Sequence, residues 1–357
     1  MELYTDIAIP ISWPDMTALG DEKWMAFLKK MKVVKNLNFK IGHAAILLIE
    51  RSSGTISYFD FGRYLSPRGY GRARSAGFDR RLTIQTKAIC DHQGIVNLQE
   101  ILEELCAKEQ ATHGGGRLLF SIANDISYAK GMAYANHIVG QGPILYGALA
   151  KNNNSCSRFV AQILAKSMQR NDGRVRRVLY PECLKASPTS NVVNASSNRK
   201  TYCYHENKLE VWEWSRWESL KFQISLLKDN FRTGDAARLQ DDSQPGLIVE
   251  PLRPTSLPKA AQWVGGIGEG AWFDIRHVHD QIYEIFKFDL TGKVEYAVQT
   301  ECLQHFDVDK PYLFTYDFSH HFYHILQNDN RYLFKAIALL TVEDEQTLRE
   351  RTYRKII

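Results

Sequence analysis

The sequence predicts an α+β protein in two parts, and three observations predict it. A largely apolar run, Ile41 to Glu50, is followed after Arg51-Ser52-Ser53-Gly54 by a second run, Thr55 to Tyr64. Two strand-like runs around a Ser-Ser-Gly turn make an antiparallel β-hairpin. From there to residue 200 the apolar residues recur mostly at helical spacing, as in Leu98, Ile101, Leu102 and Leu105. The last hundred residues hold six short aromatic and β-branched runs, with Asp289-Leu290-Thr291-Gly292 and Asn328-Asp329-Asn330 as hairpin turns. That pattern suits a small antiparallel sheet. The expected division is a domain over 1–200, with an antiparallel sheet packed on helices, and a smaller β-rich domain over 201–357 that begins with a linker and a helix.

Composition sets bounds on this. Of 357 residues, 44% are apolar and 24% charged, enough for a sizeable globular core. No apolar run approaches the roughly 18 residues that span a bilayer, so no transmembrane segment is expected. The start, Met1 to Asp6, lacks a basic stretch followed by an apolar one, and with no signal peptide visible the expected location is cytoplasmic. Six widely spaced cysteines with no C-x-x-C pair suit reduced thiols better than a disulfide framework or a zinc site. Neither a metal nor another cofactor is expected. Residues 1–200 hold 27 Lys and Arg against 16 Asp and Glu, and residues 201–357 hold 18 against 24. Halves of opposite sign suggest two mutually attracting modules, or a basic first module facing an anionic ligand.

In chain order, Ile7 to Pro10 reads as a short edge segment followed by turns. Asp21 caps a helix to Met31, with Trp24, Phe27, Leu28 and Met31 as its apolar stripe. In the hairpin, His43 opens the first strand and Asp60 lies near the far end of the second, so pairing brings them together. The register decides whether they share a face. Residues 63–81 carry Arg63, Arg68, Arg72, Arg74, Arg80 and Arg81 among glycines and prolines. Such a loop suits bidentate binding of a substrate carboxylate or phosphate, with Arg63, Arg72 and Arg74 as the candidates; the alternative is a solvated loop that pairs with the acidic second half. No nucleic-acid fold motif accompanies the arginines, so nucleic acid is not an expected partner. Leu82 to Ala88 reads as a strand, Asn97 to Gln110 as a helix, Arg117 to Ile122 as a strand and Ile126 to Val139 as a helix. Gly114-Gly115-Gly116 lacks the Lys-Ser/Thr of a phosphate loop and is a turn.

The polar run Asn152-Asn153-Asn154-Ser155 stops at Cys156, where a helical pattern begins with Phe159, Val160, Ile163 and Leu164 on one face. Ser155 or Asn154 caps it, which puts Cys156 in the first turn. There the helix dipole and free amides favour a thiolate and can donate to an oxyanion. The competing reading is a small buried residue that opens an amphipathic helix. Ala186 to Arg199 reads as a surface linker, Leu220 to Leu227 as a short helix, and Trp212, Trp214 and Trp217 as packing. His320, His321 and His324 near Asp317 do not make a metal site, because in a strand 321 points away from 320 and 324; His277 and His279 lack a third ligand.

Gly42-His43-Ala44-Ala45-Ile46 and Asn154-Ser155-Cys156-Ser157-Arg158-Phe159-Val160, with Tyr146 shortly upstream, resemble the circularly permuted papain-like hydrolases of the NlpC/P60 type. In that group a Gly-His opens an early hairpin, and an Asn-Cys with a following Phe-Val begins a late helix. The resemblance covers about residues 38–168. It implies a permuted papain-like fold and a thiol-based amidase, peptidase or acyl transferase acting on an amide or ester of a peptide-like or acyl substrate. Cys156 would be the nucleophile and His43 the base and acid. The family often places His, Asn or Glu in the third position, and Asp60 departs from that. The alternative is a fold kept as a non-catalytic binding module, with the C-terminal domain recruiting a protein partner.

Overall fold

The computed structural model describes residues 4–92, 94–147, 153–243 and 246–340; Met1 to Leu3 and Asn152 of the stretches read above lie outside them. The chain forms two compact units, Met1–Gly62 with Gly71–Pro245 and Arg63–Tyr70 with Gly246–Ile357. The main division therefore falls at Pro245 and not near residue 200. The reason is backbone pairing. Thr201–His205 bonds antiparallel to Leu118–Phe120, and Lys208–Trp212 bonds to its outer side, so this hairpin extends the first unit's sheet.

The class is α+β, as the sequence predicts. In the first unit the sheet runs in the order Lys208–Trp212, Thr201–His205, Leu118–Phe120, Asp6–Trp13, His43–Glu50, Thr55–Gly62, Tyr70–Arg74, Ile144–Leu145, and Ala123–Ile126 also pairs with Asp6–Trp13. Asp6–Trp13 is a central strand with apolar side chains on both faces, which is why its alternation is hard to read. Ile7, Ile9 and Ile11 join Ala45, Leu47, Ile101, Leu102 and Leu105 in one core layer. Ala8, Ala44, Ile46, Leu48, Phe59 and Phe61 join Phe159, Val160, Ile163 and Leu164 in the other. Those last four side chains are fully buried, each contributing about 1.5–3 kcal/mol. Their packing fixes the helix Cys156–Ser167 against the sheet. The layout therefore puts a cysteine at the head of a helix laid on the antiparallel sheet that carries His43.

Three local expectations are corrected. Leu82 to Ala88 is not a strand: a short 3-10 turn covers Arg80–Leu82, and the amides of Gln85 and Thr86 are satisfied by the Glu104 carboxylate, both at 2.8 Å, and not by a neighbouring strand. The polar segment 186–199 is not a surface linker. Ser187 and Ser190 form a reciprocal capping box for the helix Pro188–Ala195, and Asn191 donates to the Ser157 carbonyl at 2.7 Å. Buried polar groups bonded in this way need no apolar stripe. The helix Lys23–Lys30 turns Trp24, Phe27 and Met31 outward, because Met25 and Leu28 are the residues that pack on Val34, Leu37 and Phe39.

Asn230 ties the segment after the helix Arg216–Leu227 to the chain just before His43, donating to the carbonyls of Asn36 and Asn38, both at 2.9 Å. Its side chain is fully buried. Asn230→Ala should destabilise the first unit by about 2 kcal/mol, since it strands two buried carbonyls. A drop in the thermal midpoint measures this; an unchanged midpoint would show that water replaces the amide.

The second unit, taken by itself, is a seven-stranded antiparallel sheet in the order Gln262–Val264, Ala271–His279, Ile282–Phe288, Val294–Glu301, Asn330–Leu340, Phe322–Gln327, Leu313–Ser319. The side chain of Gln262 on one edge strand bonds the Tyr312 carbonyl at 2.8 Å and the Phe314 amide at 3.1 Å at the other, so the sheet curls toward itself. Trp272, Phe273, Phe286, Tyr323 and Phe334 are buried in it.

Candidate active site

His43 is the first residue of its strand, preceded by Gly42 in the left-handed region at φ +78°. A Cβ there would come within 3.0 Å of the Trp13 carbonyl, so only glycine is unstrained at this turn. The Trp13 ring stacks on the imidazole, with centroids 5.8 Å apart and planes 10° apart. The hairpin register places Ala45 opposite Asp60. His43, two residues before Ala45, therefore shares the face of Asp60, and the ring Nε2 lies 3.5 Å from Asp60 Oδ2.

Asp60 is fully buried and held from the far side. Arg74 stands directly across from it on the neighbouring strand. The guanidinium donates through Nε to Oδ1 at 3.0 Å and through Nη2 to Oδ2 at 2.6 Å. The Tyr58 hydroxyl adds 2.9 Å to Oδ2. Behind Arg74 lies Asp79, 4.0 Å from its Nη1 and itself bound by Arg81. Burial alone would raise the Asp60 pKa, but the charge of Arg74 and the bonds from His43 and Arg74 hold it well below the usual carboxylate range.

Cys156 is the first helical residue, after Ser155 as cap. Its sulfur is 3.7 Å from Ser157 Oγ, takes a hydrogen bond from the Ala44 amide, and pairs with His43. Burial pushes the thiol up, but the bond and charge of His43 outweigh it and lower the pKa. On the other partner, burial disfavours the charged ring, but Asp60 and Cys156 raise the imidazole from 6.5 to about 9. Each charge therefore stabilises the other, which favours a thiolate–imidazolium pair. Among the described residues the remaining five cysteines have no imidazole partner of this kind: burial is the largest influence on each and raises its thiol.

Cys156 opens on a cavity of about 310 Å³, which also touches Lys40, Gly42, Tyr146, Lys185 and Leu226. The approach to the helix is built by the preceding loop. The Asn154 amide bonds the Leu145 carbonyl at 2.9 Å, and the Gly147 amide bonds the Asn154 carbonyl at 3.0 Å. Among the described residues no cluster of three or more His, Cys, Asp or Glu is placed to hold a metal.

The proposed anion-binding arginines are placed differently from the expectation. Arg72 and Arg74 are buried, at 1% and 0% exposure, within a strand that the sequence read as an open loop. Arg74 is occupied with Asp60, and Arg72 lies over the Phe78 ring at 4.6 Å. Arg63 belongs to the segment 63–70 of the second unit. Sequence reasoning missed Tyr58, although it sits two residues before Asp60 on one strand face, and it missed Lys185, for which no pattern gave a signal.

A family model described as "Type VI secretion system effector TseH-like" matches residues 8–173, and one described as "DUF6695 C-terminal domain" matches residues 261–337. A solved structure titled as the crystal structure of the type VI secretion system effector TseH is similar at 18% identity. That likeness covers 58% of this chain and 98% of the other, with a TM-score of 0.40. The chain matches no curated protein.

Proposed function

We propose that the first unit is a cysteine hydrolase or acyl transferase of the NlpC/P60 type, with Cys156 as nucleophile, His43 as base and acid, and Asp60 as the group that orients the ring. One observation carries this reading: His43 stands between the Cys156 thiol and a carboxylate that is itself locked by Arg74 and Tyr58. With Nε2 turned to Asp60, Nδ1 is the nitrogen for the thiol proton. The thiolate attacks an amide or ester carbonyl, the imidazolium returns its proton to the leaving amine or alcohol, and a thioester forms. Water or an acceptor, deprotonated by His43, then releases the acyl group. Arg74 is a positioning residue in this scheme.

The family match over residues 8–173, which includes all three side chains, supports the further reading that this hydrolase serves as an effector of a type VI secretion system. The second unit would recruit a protein partner. Six unpaired cysteines suit a chain made in a reducing cytoplasm.

A small activated ester tests the chemistry without knowledge of the substrate. With p-nitrophenyl acetate, the protein should release a burst of one equivalent of nitrophenolate and carry an acetyl group on Cys156, and Cys156→Ala should do neither. Absence of both from the intact protein would leave a binding module as the better account.

A further inference from the structure

The cavity at Cys156 is adjoined by a second one of about 420 Å³, lined by Arg158, Gln162 and Tyr180 among others. Ser155, Leu184, Lys185 and Ala186 line both. Lys185 is the cation in that shared wall. Its Nζ is withdrawn from solvent and has no hydrogen-bond acceptor among the described residues. Buried ammonium groups are ordinarily paired, because an unpaired one gives up hydration for nothing. The surroundings add to the cost. Burial first and the charge of Arg158 second pull its pKa down to about 8, with only the charge of Glu22 opposing. Lys40 adds another cation to the Cys156 cavity. A cation in this position gains most from an anion that enters the cleft, and its four-carbon stem lets it turn to meet one.

We infer that Lys185 is the specificity-determining residue for an anionic group, a carboxylate of the substrate beside the scissile bond, and that it takes the role expected of Arg63, Arg72 and Arg74. This rests on Cys156 being the nucleophile. The occupant is a carboxylate-bearing acyl or peptide substrate, whose acid end reaches Lys185 while its carbonyl reaches the sulfur.

Two alkylating agents of nearly equal size separate the two ideas. Iodoacetate carries a carboxylate and iodoacetamide does not, and both report on the same sulfur. The ratio of their rates at pH 7 cancels changes in the thiol itself. In the intact protein, Lys185→Met should lower the iodoacetate-to-iodoacetamide ratio about tenfold, the size of one charge-assisted contact. Lys185→Arg should keep the ratio within about twofold of the parent. A ratio unchanged by Lys185→Met overturns the proposal while the nucleophile stands. Failure of Cys156 to react with either reagent in the parent overturns both. Removing an unpaired charge should not harm folding, and Lys185→Gln supplies the same comparison should the methionine variant precipitate.

Discussion

Replacing His43 with Ala is expected to slow alkylation of Cys156 by iodoacetamide at pH 6 about 100-fold, with the intact protein reacting at that pH and the variant nearly silent. The magnitude comes from the thiolate fraction. An ordinary thiol near pKa 8.5 is only about 0.3% ionised at pH 6, and one held by an imidazolium is largely ionised. A low-pKa thiolate is intrinsically a weaker nucleophile, which takes back part of the gain. Mass spectrometry locates the adduct and stopped aliquots give the rate. Equal rates in parent and variant would mean that the sulfur is not paired with the ring, and the hydrolase reading would fail with it.

The same pair predicts different pH limits for two reactions. His43 is raised to about 9 by Asp60 and the thiolate, against the burial that disfavours its charge. A raised pKa means that the imidazolium and its stabilising contacts are fully present below about 6.5 and are lost as the pH rises through about 9. Alkylation needs only the thiolate and should persist above pH 9. Amide cleavage also needs the ring to hand a proton to the amine, so it should fall there.

The parts legible in the sequence were those with a local cause. The Ser-Ser-Gly turn between two apolar runs gave the hairpin, and the stop of a polar run at Cys156 gave the helix start, because a turn and a cap are decided by a few neighbouring residues. The same runs brought His43 and Asp60 to one end of the sheet, although the register needed the fold. What could not be read was set by distant pairing. An arginine-rich stretch between glycines looks solvated. Tyr70–Arg74 is a strand because Asp60 lies across from Arg74 and neutralises it, and nothing near residue 74 announces that partner. Segment 186–199 looks like a linker for a similar reason: its serines and asparagines bond to each other and to the cysteine helix, so a polar composition is buried. Lys185 directly precedes that segment, and nothing local to it announces the cleft that it lines.

Asp60 and Arg74 make the sharpest case for separating stability from chemistry. Both side chains are fully buried and joined by two bonds. Removing one partner strands the other as a buried charge, so Asp60→Asn or Arg74→Met should each cost about 3–5 kcal/mol of stability. The double variant Asp60→Asn with Arg74→Met should lose clearly less than the sum, because no charge is left alone, and a strictly additive pair would show that the two do not interact. The acid limb carries the same sign. The Asp60 pKa is depressed, so its contribution is present above about pH 3.8 and disappears as the pH falls below that. Catalysis should not follow stability back. In the double variant His43 keeps the thiolate but loses the carboxylate that turns and charges it, so hydrolysis should stay about 10²–10⁴-fold down even where folding is recovered. The upper pH limit should also move below about 9, since one of the groups that raise the imidazole is gone. Arg74→Met alone should retain more activity than Asp60→Asn, because Tyr58 still bonds the carboxylate and the carboxylate still faces the ring. A rank order with Arg74→Met the more damaging to turnover, measured on folded protein, would assign the ring's orientation to the guanidinium and not to Asp60.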